Sequence, residues 1–137
     1  MAETRKMTRT PKTSKAKPVD EYGHLQPQAP ELEEAVLGAL MIEKDAYSLV
    51  SEILRPESFY ERRPQLIYSA ITSLALRQQP VDILTVAEQL RSTGELEDAG
   101  GPFYITQLSG KVASSAHIEY HARIIAQKFL ARELITF

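Results

Sequence analysis

The sequence predicts an all-α domain, a bundle of about six helices ending in one long helix. Three observations carry this reading. Apolar residues recur at helical spacing in successive segments, no segment alternates with the period of two that a half-buried strand needs, and Pro, Gly and Asp punctuate the stripes. The 137 residues, 43% apolar and 25% charged, suit one soluble domain with a modest core.

Residues 1–29 are rich in Thr, Lys, Pro and Gln and hold almost no large apolar group. They are expected to form a disordered basic tail, because so little burial cannot offset the entropy of ordering. The domain proper is assigned to 30–137. Charge follows the same division: residues 1–20 carry six basic groups against Glu3 and Asp20, net +4, so the remainder carries −6 within an overall −2. An acidic body is a poor grip for a phosphate backbone. The tail's basic groups lack interleaved aromatics for base stacking, which favours a solvated tail over a nucleic-acid-binding arm.

Pro30 is a good first helical residue, and Glu31, Glu33 and Glu34 suit the positive end of the helix dipole. Leu32, Ala35, Val36, Ala39 and Leu40 then form a buried stripe. Asp45 is expected to cap a second helix with the stripe Ala46, Leu49, Val50, Ile53 and Leu54, ended by Pro56. A third helix is predicted from about Arg62 to Arg77, with Leu66, Ile67, Ala70, Ile71 and Leu74 inward. Asp82 caps a fourth, carrying Ile83, Val86, Ala87 and Leu90, and Gly94 stops it. Pro102 opens a short helix with Phe103, Tyr104, Ile105 and Leu108, and Ser115 can cap the last. That helix runs to Phe137 with two apolar ladders, one of Ile118, Ala122, Ile125 and Phe129, the other of Ala126, Leu130, Leu134 and Phe137. No Gly, Asn or Pro cap closes it, so the chain is expected to be a piece of something longer.

The search for chemistry is mostly negative. Cysteine is absent, which leaves no disulfide or thiolate metal site and suits a reducing compartment. No apolar run approaches the roughly 18 residues of a membrane span, and no signal peptide opens the chain, so a soluble, cytoplasmic protein is expected. Gly110-Lys111 is not a phosphate-binding P-loop: Ile105 stands at the first glycine position and Val112 at the required hydroxyl. His117 and His121 share a helix face but lack a third ligand, since His24 lies in the tail; packing against a neighbouring helix is the simpler expectation. No residue set nominates a nucleophile with its base. What is left is apolar surface, two ladders that together cover more than one helix face, which points to a partner-binding domain without catalytic residues, cofactor or metal.

Several short runs also look familiar. Glu31-Leu32-Glu33-Glu34-Ala35-Val36-Leu37-Gly38 resembles the opening of the N-terminal domain of bacterial replicative DNA helicases of the DnaB type. The resemblance continues through Pro56-Glu57-Ser58-Phe59-Tyr60, Pro80-Val81-Asp82, Glu95-Leu96 with Gly100-Gly101, and Glu119-Tyr120 with Ala122-Arg123-Ile124. Order and spacing from about Leu25 to Phe137 make it specific. Ala113 and His117 depart from the family's usual Pro and Asn.

This resemblance implies an all-helical collar domain that precedes a RecA-like motor absent from this chain. It implies a parent enzyme, an ATP-dependent helicase that uses ATP and Mg, translocates on single-stranded DNA in the 5′ to 3′ direction and unwinds the replication fork. The implied partners are a hexamer built as a trimer of dimers, primase, and a helicase loader. The last helix would be one arm of a helical hairpin, with Leu130, Leu134 and Ile135 facing the return arm or a second subunit, and Tyr104 on a primase-facing surface. The competing reading is a stand-alone DNA-binding module led by the basic tail, which filter binding with and without residues 1–20 would separate.

Overall fold

A computed structural model describes residues 27–111 and 117–135; within them six α-helices and two 3-10 turns follow one another, and no strand occurs among the described residues. Helix α1 (Pro30–Ile42) is the axis on which the rest is assembled. Val36, Leu37, Ala39, Leu40 and Met41 are all buried, and α3, α5 and α6 pack around them. Pro30 begins the helix at a position where its missing N–H would be unpaired in any case.

Helix α2 (Ala46–Val50) is shorter than predicted. The N–H groups of Ile53 and Leu54 both reach the Val50 carbonyl, at 2.9 Å, and turn the chain well before Pro56. Ala46, Val50 and Leu54 are buried, whereas Leu49, expected inward, is exposed. Asp45 sits at the N-cap position without a side-chain cap bond; its carbonyl accepts from Ser48 Oγ at 2.9 Å. Pro56 starts a 3-10 turn, Pro56–Ser58, that delivers Phe59 into the core against Tyr68, ring centroids 5.1 Å apart.

In helix α3 (Arg62–Leu76) all five predicted inward residues are buried. Tyr68 joins them, its hydroxyl donating to the Leu54 carbonyl at 3.2 Å. Helix α4 (Ile83–Ser92) starts as its sequence predicts: Asp82 Oδ1 accepts the Thr85 N–H at 2.8 Å, and Thr85 Oγ1 accepts the Asp82 N–H at 2.9 Å. It stops at Gly94, whose φ of 77° lets the Glu95 N–H reach the Leu90 carbonyl at 2.8 Å. Helix α5 (Gly101–Leu108) buries Ile105 and Leu108 and leaves Phe103 exposed; the 3-10 turn Ser109–Lys111 follows it.

Helix α6 (Ile118–Ile135) lies across α1 and α2 and reaches the Pro56–Ser58 turn. The expected Ser115 cap and most of the predicted tail fall outside the described residues; Pro27, Gln28 and Ala29 are partly buried. Among the described residues, no helix is long and apolar enough to cross a membrane.

A candidate protein-docking surface

The two ladders of α6 part company along the helix. Ile118, Ala122 and Ile125 enter the core, and Ala126 packs beside it half-buried. Leu130, Leu134 and Ile135 remain 62%, 74% and 42% exposed, and Tyr120 is exposed as well. Leu130 and Leu134, one turn apart, sit one above the other and form a bare apolar strip, with Ile135 on the flank about 100° further round the helix. Burial of a side chain of this size contributes roughly 1.5–3 kcal/mol, which makes the strip a strong driver of association.

A buried ionic group that the sequence reading did not pick out fixes α6 to the domain. Arg132 is only 8% exposed and Glu33 only 2%. The Arg132 guanidinium donates from Nη1 to the Pro27 carbonyl at 2.7 Å and from Nη2 to the Ser58 carbonyl at 3.0 Å. It lies over the rings of Tyr60, 5.0 Å from the centroid, and Phe129, 5.8 Å. Burial lowers its pKa, while the charges of Glu33, Tyr60 and Glu133 act to raise it. Glu33, expected to face the positive end of the helix dipole, instead points inward, and its Oε2 accepts the Tyr60 N–H at 3.0 Å. Burial lifts its pKa from 4.5 to about 7, against the opposing pull of the Tyr60 N–H and of Arg132.

Tyr104 is held elsewhere. Its hydroxyl donates to Glu34 Oε2 at 2.9 Å, and Glu34 Oε1 pairs with Lys111 Nζ at 3.4 Å. The Arg63 guanidinium sits over the ring at 5.1 Å. Burial, then the bond to Glu34, pushes the phenol pKa well up. Tyr104 is therefore half-buried and tied to α1 and α3, while Leu130 and Leu134, one turn apart, share a face of α6 and Ile135 lies on its other flank; these four do not form one cluster of contacts.

His117 is exposed and His121 is partly buried, and their rings lie 6.3 Å apart on one face of the helix. Among the described residues no group of three His, Asp or Glu is placed to hold a metal. A groove of about 650 Å³ between the ends of α1 and α3 and the start of α2 is lined by Leu40, Ile42, Tyr47 and Val81 with Lys44 and Asp45 at its rim. It assembles no nucleophile with a base.

The class these features define is a helical contact domain, with an apolar strip on a firmly seated helix. The chain belongs to the DnaB-like helicase N-terminal domain family, whose profile matches residues 25–127. It is 54% identical over 110 residues to the replicative DNA helicase DnaB of Rhodothermus marinus, covering 80% of this chain and 12% of that protein. It is 43% identical over 111 residues to the replicative DNA helicase DnaC of Bacillus subtilis, covering 81% and 24%. The crystal structure of the N-terminal domain of DnaB helicase from Mycobacterium tuberculosis superposes with a TM-score of 0.78 at 40% identity, over 81% of this chain and 80% of that one. A DnaB-like replicative helicase whose structure was described with its interactions with primase gives 0.68 at 30% identity, over 79% of this chain and 25% of that one. The all-helical fold and the family expected from the residues are both found. The chain spans 12% and 24% of the length of these two curated relatives.

Proposed function

We propose that this chain is the assembly and primase-docking domain of a hexameric, ATP-dependent replicative DNA helicase, and that it is non-catalytic by itself. ATP and Mg would be bound, and single-stranded DNA moved, by a RecA-like domain that these residues do not include. The setting would be the bacterial replication fork, in the cytoplasm. The observation that carries the reading is the bare apolar strip of α6 on a domain of this family. The similarity to a helicase studied with primase supports a docking role. On this reading Leu130, Leu134 and Ile135 meet a second subunit or its helical hairpin, in a trimer of dimers. Tyr104 would contribute through the half-buried group it forms with Glu34 and Arg63, on a primase-facing surface. A loader would use the same collar.

The double substitution Leu134→Asp with Ile135→Asp tests this. Both side chains are exposed, so the domain should stay folded by circular dichroism. Mass by light scattering and primase binding by calorimetry should both fall. A folded double variant with wild-type mass and wild-type primase affinity removes these residues from the surface.

A further inference from the structure

Along the seated side of α6 the intervals run four, three, four and three: Ile118, Ala122, Ile125, Phe129, Arg132. This is the spacing of an apolar seam, and its fifth place holds a cation. Burying a guanidinium is harder than burying a Leu or Met of similar reach, so its presence asks for a compensating gain. The gain is geometric. Arg132 bonds the carbonyls of Pro27 and Ser58, residues 105 and 74 positions away in the chain, and stacks on Tyr60 and Phe129. An apolar side chain at this place would tolerate sliding and rotation of the helix. A planar fork with fixed donor directions tolerates neither. The fastening lies within three residues of Leu134 and Ile135, where α6 carries its bare strip.

We propose that Arg132 is the positioning residue of the docking surface: by gripping the Pro27 and Ser58 carbonyls it sets the direction in which Leu130 and Leu134 are presented to a second copy of the chain. The inference rests on the interface reading above and adds to it a side chain that aims the strip without belonging to it.

The chain has no cysteine, so spin labels can be placed cleanly at Ser69→Cys, exposed on α3, and Leu134→Cys, exposed on α6. Electron–electron double resonance should give a narrow distance distribution with Arg132 intact. Arg132→Met keeps apolar cover over the seam and a folded domain, and its distribution should shift or roughly double in width. Arg132→Lys, with a point charge instead of a fork, should fall between. A folded Arg132→Met variant with an unchanged distribution overturns the proposal. Self-association of the unlabelled chain, followed by light scattering over a concentration series, separates the two layers of argument. If Leu134→Asp with Ile135→Asp abolishes self-association and Arg132→Met weakens it severalfold, the proposal holds. If the double variant loses self-association and Arg132→Met associates as wild type, the positioning role is wrong and the interface stands. If both associate as wild type, the interface reading falls and takes this one with it.

Discussion

Helices α3 and α6 are the two longest in the domain, 15 and 18 residues, and they use their apolar residues differently. In α3, Leu66, Ile67, Tyr68, Ala70, Ile71 and Leu74 are all buried, and Leu76 at its end is the large apolar group left bare. In α6, three aliphatic residues enter the core and three more stay outside, with a buried arginine continuing the inner seam. The first is scaffold, a helix whose large apolar residues other than Leu76 are all buried in the domain's own core. The second is divided between holding the domain and offering a surface. On the proposed reading, that division marks an element whose packing another molecule would complete.

The largest test of the comparison is a cavity in α3. Ile71 is fully buried, and Ile71→Ala should destabilise the domain by about 2–5 kcal/mol in urea unfolding, the transfer term plus an uncollapsed cavity. A cost under about 1 kcal/mol would mean that α3 is not the tightly packed scaffold described.

Next in size is the pH dependence carried by Glu33, which sharpens what holds α6. Its pKa rises from 4.5 to about 7 in the folded domain. Between these values the folded state binds the extra proton and the unfolded state does not, so the contribution is complete below about 4.5 and is lost as pH rises through about 7. The decline is at most about 3.5 kcal/mol, at about 1.4 kcal/mol per pH unit between these two values. Glu33→Gln should flatten this part of the stability profile, measured as urea midpoints between pH 4.5 and 7.5. An identical slope in the variant would assign the titration to another group.

Much of the domain was legible because its signals are local. The stripe of α3, the Asp82–Thr85 cap and the Gly94 stop each lie within a few residues of the feature they decide, and all are present. The apolar spacing overextends α2, because Ile53 and Leu54 continue a helical period that the turn after Val50 interrupts. Glu33 and Arg132 escaped for a different reason. A charge is assigned to solvent by default, and the partners that bury these two, Tyr60, Ser58 and Pro27, are distant in sequence. One signal was available: Arg132 falls in register with Ile118, Ala122, Ile125 and Phe129. The exposed strip was anticipated from the second ladder, and Leu130 and Leu134 are indeed bare; the intramolecular bonds of Tyr104 could not be read from spacing.

A smaller effect concerns the α3 side of the comparison, where Arg63 and Glu34 hold Tyr104. Gly100 has φ of 105°, and a Cβ there would stand 2.6 Å from Tyr104 Cδ2. Gly100→Ala should cost about 1–3 kcal/mol and alter the near-ultraviolet dichroism as the ring is displaced. Gly94, at φ 77° with nothing within 4 Å of its Cβ position, should cost only about 1 kcal/mol as Ala. Equal costs would show that backbone strain alone decides both, with no close packing of Tyr104 on Gly100.

The smallest expected change decides most about α6. Leu130 is exposed, so Leu130→Ala should alter the stability of the dilute domain by no more than about 0.5 kcal/mol. In a monomer that value is independent of protein concentration. If the strip is covered by a second copy of the chain, the wild-type midpoint rises with concentration by mass action, and the variant's rises less. Thermal unfolding across a wide concentration series therefore distinguishes a strip left bare from one already occupied. A large, concentration-independent loss in Leu130→Ala would contradict both, because it would place that side chain inside the domain's own core and remove the difference between α3 and α6.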